Sequence, residues 1–218
     1  MLLLKFELFS PCATFKVPLS LKGIETYPLP PPSTIIGLLY TAAGRKWKGE
    51  RFSLSIQGDF ESIFRDYIRM RKYNRKDKEL SPLPLEVPRL YNFRAVIHVS
   101  AEEKGLLKDF LEALKSPSRY LYLGGGEYPV LVKGVKITEA EHKDISQGEL
   151  KMNAFVPERA KDILYEVIQF RVSTFCRREN GERVCDWINV YYAQKGADIG
   201  GKVLIDEEGD TVWLLDSM

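Results

Sequence analysis

Six cations in a span of twelve residues, Arg65, Arg69, Arg71, Lys72, Arg75 and Lys76, are the best placed groups in this chain to do chemistry. Phe64, Tyr67 and Tyr73 stand among them. Guanidinium and ammonium groups hold phosphate oxygens, and aromatic rings stack on bases, so the mixture suits a single-stranded nucleic acid. From Arg65 to Lys78 seven basic residues face only Asp66 and Asp77, a local excess of five positive charges. The whole 218-residue chain carries a net charge of only +2. A charge run is often just a solvated arm. A concentrated one in a nearly neutral chain favours RNA or DNA contact.

Other candidates are weaker. Cys12, Cys176 and Cys185 are the three cysteines, and a spacing of nine residues does not match a zinc site. No metal or cofactor is expected. Val167–Arg178 and Glu182–Tyr192 flank Asn180-Gly181, the strongest short signal for a β-hairpin. A two-residue turn sets Arg178 opposite Arg183 and Cys176 opposite Cys185, the latter at a non-hydrogen-bonded pair where side chains come closest. A cross-strand disulfide is therefore expected in the cytosol of a heat-adapted organism, and two free thiols in that of a mesophile.

Metal-free RNA cleavage needs a positioned base and acid with charge stabilisation at the phosphate. Tyr40, His98 and nearby lysines supply such groups, but nothing in their spacing requires a site. A core histidine is the simpler reading of His98, and His142 lies in a charged stretch. There is no P-loop, serine elbow or paired-carboxylate motif.

The elements that must position these residues follow from periodicity. Leu2–Phe9 alternates as a strand with one wholly apolar face. Tyr27–Gly44 contains four prolines in five positions, a stiff extended rod that delivers the chain to Ser33 as a helix N-cap. Ile35, Leu38, Leu39 and Ala42 then give a helical stripe, and Gly37 suggests close approach to a sheet. The helix start offers unpaired N–H groups of the kind that suit a phosphate. Phe52–Phe60 reads as a second strand, Leu90–Val99 as a third and Arg119–Leu123 as the start of a fourth. A helix with the stripe Leu107, Phe110, Leu111 and Leu114 lies between the last two, opened by a capping box at Ser100–Glu103. Ile63–Val87 leaves this pattern as an insertion, returning through Pro82, Pro84 and Pro88. The order is that of an α+β, ferredoxin-like (RRM-like) βαββαβ domain. Gly124, Gly125 and Gly126 allow close backbone approach after the fourth strand. Glu139–Leu150 reads as loop and Glu158–Glu166 as a short helix. A second hairpin is expected between 202–205 and 211–215, within a mainly β C-terminal annex forming a small second sheet. The expected units are 1–136, with its insertion at 60–89, and 137–218.

No run of eighteen apolar residues occurs, and the first residues lack the basic start, long apolar stretch and cleavage site of a signal peptide. A cytoplasmic protein without a membrane span is expected.

Two stretches carry a resemblance. Glu25-Thr-Tyr-Pro-Leu-Pro-Pro-Pro-Ser-Thr-Ile-Ile-Gly-Leu-Leu39 and Arg119-Tyr-Leu-Tyr-Leu-Gly-Gly-Gly-Glu-Tyr-Pro129 resemble the proline-rich helix entry and the glycine-rich segment of the CRISPR-associated Cas-five family, a branch of the RAMP superfamily. The resemblance covers roughly residues 1–136. It implies a non-catalytic, RNA-binding subunit of the type I Cascade complex in antiviral defence. Such a subunit grips the 5′ handle of crRNA and caps the backbone filament, with backbone and large subunits as partners and target DNA within the complex. The insertion then takes the place of the family's thumb, and Ser33 and Thr34 match the helix start near the handle. One branch of the family cuts repeat RNA with a helix tyrosine and a Lys-His pair. Tyr40 matches the tyrosine, but no Lys-His dipeptide occurs here, which argues against that endoribonuclease alternative.

Overall fold

The computed structural model describes residues 1–18, 24–74, 78–124, 128–164 and 166–215, with Lys72 by its backbone alone. The fold mixes α and β and is mostly strand. In chain order come β1 (Leu2–Ala13), β2 (Phe15–Lys16), β3 (Thr26–Tyr27), α1 (Pro32–Ala42), β4 (Ser53–Asp59), β5 (Ser62–Asn74) and β6 (Glu79–Ser100). There follow α2 (Lys104–Lys115), β7 (Leu131–Glu149), β8 (Asn153–Val156), β9 (Val167–Glu179), β10 (Glu182–Ala193) and β11 (Asp198–Asp206).

One nine-stranded sheet runs β11-β7-β1-β6-β4-β8-β10-β9, with β5 paired to β6 off this path. β1 lies between β6 and β7, antiparallel to both. Leu4, Phe6 and Leu8 on β1 and Ile97 and Val99 on β6 share a core with Ile35 and Leu39 of α1 and Phe110 and Leu114 of α2. The alternation therefore sends one face of β1 to the helices, as its sequence predicts. The other face is also covered. Leu3 packs with Ala140, Leu204 and Val212, so Lys5 beside it is buried as well.

Several local expectations are corrected. α1 begins at Pro32, with Pro31 as its N-cap residue, and Ser33 lies inside the first turn. Proline suits that place because its fixed φ is helical and the missing N–H has no intrahelical partner there. The Ser100–Glu103 capping box does not form, because Ser100 still pairs with Ser53 at the end of β6 and α2 starts after Glu103. Gly37 is exposed and a Cβ there would touch nothing, so it is not a point of close approach to the sheet.

Arg119–Leu123 contributes only the isolated bridge Tyr122↔Pro129, and the strand that follows α2 is β7. Glu139–Leu150, polar enough to read as loop, lies almost wholly within β7, because β11 pairs with it from Ala140 to Glu149. Glu158–Ile163 is a single 3₁₀ segment. The C-terminal strands form no second sheet of their own: β8 pairs with β4 and carries β10 and β9 onto the main sheet. The second hairpin is reduced to a tight turn at 206–210, with Ile205 bridging Thr211. The Asn180-Gly181 hairpin has the expected register, Arg183↔Arg178 and Cys185↔Cys176, and the two cysteines are bridged.

Candidate nucleic-acid interface

β5 and the first half of β6 pair over thirteen residues, from Ser62↔Tyr91 to Asn74↔Glu79, and form a long ribbon off the body of the sheet. Asn92 takes a left-handed φ of 49° near its root, which asparagine tolerates better than most residues. Successive side chains in a strand point to opposite faces. One face therefore carries Arg65, Tyr67, Arg69, Arg71 and Tyr73. Opposite the three arginines lie Pro88, Pro84 and Pro82, which bring no charge. Tyr67 is 69% exposed and Tyr73 55%, values usual for a ligand platform and unusual for a core. The only carboxylate near these arginines among the described residues is Glu86, 3.8 Å from Arg65 and itself half exposed. Screening by water makes such a pair weak.

The opposite face carries Phe64, Ile68 and Met70 against Leu83, Leu85 and Val87. It is rooted by Arg89, whose guanidinium holds Asp66 at 3.0 Å and lies over the Tyr128 ring. The three prolines share one parity along β6. Proline has no N–H to give to β5, so the missing donors lie on the free edge, and that edge cannot template another strand.

The other predicted residues are not part of this ribbon. Ser33 is buried and its hydroxyl is 2.7 Å from that of Ser173, while the Thr34 N–H donates to Pro31 within the first turn. Gly124 has a φ of 65°, and a Cβ there would stand 2.6 Å from the Thr14 carbonyl oxygen. It is glycine because the chain presses on Thr14. Arg75, Lys76, Gly125 and Gly126 lie outside the described residues, as does the side chain of Lys72.

Tyr40 and His98 are not brought together. Tyr40 packs on Phe52 and Phe110 in the helix-side core, and burial pushes its phenol well up. His98 is on the reverse face, paired across to Lys5 on β1. Its Nε2 is 3.1 Å from Asp206 Oδ2. A carboxylate only accepts, so Nε2 carries the proton, and Nδ1 is buried without a hydrogen-bond partner among the described residues. Burial holds this imidazole below its usual range, and the Lys5 charge adds to that.

Asp206, Glu208 and Asp210 converge as metal ligands would. Their centre is taken by Lys5 Nζ, at 2.5, 2.7 and 2.6 Å from the three carboxylates. Burial opposes the charges, but the hydrogen bonds outweigh it. They raise Lys5 and hold Asp206 at about 2. Lysine is serving here as the cation, an arrangement no sequence spacing announces.

The sequence model of the family described as CRISPR-associated protein (Cas_Cas5) matches residues 3–186. The chain belongs to that family. No curated protein matches this Cas5-family chain. Its fold is similar to a chain of a solved "CRISPR RNA-guided surveillance complex", at 13% identity and TM-score 0.59 over 90% of this chain and 91% of the other. It is also similar to a CRISPR protein from Archaeoglobus fulgidus, at 15% identity and TM-score 0.50 over 97% and 98% of the two chains. Among the described residues of this Cas5-family chain no helix is long and apolar enough to cross a membrane.

Proposed function

We propose that this chain is a non-catalytic subunit of an RNA-guided CRISPR surveillance complex, cytoplasmic and acting in antiviral defence. In this reading it grips the 5′ handle of crRNA and caps the backbone filament beside the large subunit, with target DNA as a further partner in the complex. The observation that carries the reading is the sorting of the ribbon, with Arg65, Arg69, Arg71, Tyr67 and Tyr73 on one exposed face. Phosphates go to the arginines and bases to the tyrosines. The same reading takes β7-β1-β6-β4, with α1 and α2, as a ferredoxin-like core. Supporting it are the strand order and the antiparallel pairing of every neighbour in that set. Residues 62–91 are then the thumb of the 1–136 unit.

The apolar face of Phe64, Ile68, Met70, Leu83 and Leu85, exposed or half-buried, favours a second role for the same ribbon, docking on the neighbouring backbone subunit. The test is a gel shift of repeat-derived RNA with R65E/R69E/R71E, together with co-purification with the backbone subunit with and without RNA. Affinity should fall at least tenfold, with the widest gap at low salt, where the native protein gains most from its phosphate contacts. A variant that binds handle RNA as the native protein does overturns the reading.

A further inference from the structure

A cleft of about 640 Å³ opens between α1 and the β9–β10 hairpin, away from the β5–β6 ribbon. Lys46, Trp47, Arg178 and Arg183 line it, and Ile36 and Gly37 of α1 form part of its wall. We propose that this cleft is a second site for single-stranded RNA, with Lys46, Arg178 and Arg183 on its phosphates and Trp47 against a base.

The cations are placed there by the turn. Asn180 and Gly181 have φ of 50° and 85°, which closes a two-residue hairpin. Pairing of Glu179 with Glu182 next to the turn makes 178/183 a non-hydrogen-bonded pair, where side chains approach most closely. Two guanidinium groups directly opposite one another repel. The disulfide at 176/185, one step further on the same face, ties the strands across that repulsion.

Arg177 also lines the cleft, and two acids of the hairpin, Glu179 and Asp186, pair with it at 2.5 and 3.1 Å; among the described residues no carboxylate lines the cleft itself. Lys46, Arg178 and Arg183 have no ion-pair partner among the described residues.

An anion between the arginines relieves their repulsion, and the aromatic wall narrows the class of anion. Trp47 is stacked on Phe175 with ring centroids 5.0 Å apart, and its Nε1 donates to the Glu50 carbonyl at 2.8 Å. It is a fixed ring, ordered before any ligand arrives. Gly37 presents bare backbone with open space where a side chain would stand. Three unpaired cations around a rigid indole fit a polymer that alternates phosphate with a flat base.

Trp47 fluorescence in W187F/W213F protein, titrated with a fluorescein-free uridine oligonucleotide, reads the site directly. Quenching is expected with the oligonucleotide, and much weaker quenching with inorganic polyphosphate or polyglutamate. R178S/R183S should raise the dissociation constant at least tenfold and flatten the salt dependence by about 1.4 in log–log slope, roughly 0.7 for each phosphate no longer neutralised. Its melting temperature should not fall, since a repulsion is removed. K46S, outside the hairpin, repeats the test if the double variant folds poorly. R65S/R69S/R71S should keep the quench, so failure of the ribbon reading and failure of this one are separate results. Native affinity and salt slope in both R178S/R183S and K46S overturn the inference, as does equal quenching by polyglutamate.

Discussion

Lys5 on the first strand and Asp206 at the end of the last strand, 201 residues apart, form a buried ion pair of 2.5 Å. This pair, with Glu208 and Asp210 around the same ammonium, fastens the C-terminal turn to the reverse face of the sheet. The next residues continue along that face, where the Trp213 N–H donates to the Ser55 hydroxyl.

Lys5→Met should therefore cost far more than a surface lysine. Removing the ammonium strands the buried carboxylate of Asp206, and losses of about 3–5 kcal/mol are usual for such a change. Denaturant unfolding should show a lower midpoint with an unchanged slope. A midpoint within error of the native value would refute the role given to this cluster.

Stability should fall in two stages as pH drops. His98 is held below its ordinary value of 6.5, so the unfolded chain takes up its proton first and stability declines below that pH. Asp206 is held at about 2 against 3.8, so its contribution is full above pH 4 and is lost as pH falls towards 2. The share of Asp206 in that second step is about 2 kcal/mol. Glu50 adds to it: burial opposes its charge, but hydrogen bonds from Arg45 and the backbone hold it at about 2. Melting temperatures across pH 2–8 check both, and His98→Gln should flatten the first stage only.

Gly124→Ala should destabilise by more than 1 kcal/mol, since both the positive φ and the Thr14 backbone oppose a Cβ. The loss should appear in thermal melts of the protein without any RNA. A loss seen only in RNA affinity would return this residue to the binding surface.

Tyr67→Ala and Tyr73→Ala should each weaken RNA binding by about 1–3 kcal/mol through lost stacking, with the salt slope unchanged. R65S/R69S/R71S should flatten that slope. Filter binding at several salt concentrations separates the two, and a tyrosine variant that changes the slope would contradict the sorting of roles.

Thiol titration of the denatured, unreduced protein should find one thiol, Cys12, and three after reduction. Replacing Cys176 and Cys185 by serine should cost about 2–3 kcal/mol on the chain-entropy account of so short a loop.

Local features were legible in the sequence wherever neighbours along the chain decide the outcome. The Asn180-Gly181 turn predicts the register of β9 on β10 as far as the Cys176–Cys185 pair, because a two-residue loop permits only one pairing there; beyond it a bulge between Cys185 and Trp187 shifts the register. The β1 alternation and the α2 stripe predict which side chains meet the helix-side core. The basic segment reads as an insertion because its charge and prolines break the surrounding pattern. Boundaries set by competition did not read correctly. Ser33 lost the capping position to Pro31, Ser100 stayed in its strand, and the polar run 139–149 became strand once β11 lay beside it.

Residue types and their spacing thus settled the turn register, the cationic segment and the apolar faces, all of which depend on forces acting within a few residues. The burial of Lys5, the separation of Tyr40 from His98 by the sheet, and the convergence of Lys46 with Arg178 and Arg183 came only with tertiary structure. Each depends on which distant segment covers which face, and the free energy of that choice is shared over the whole core rather than carried by any local pattern.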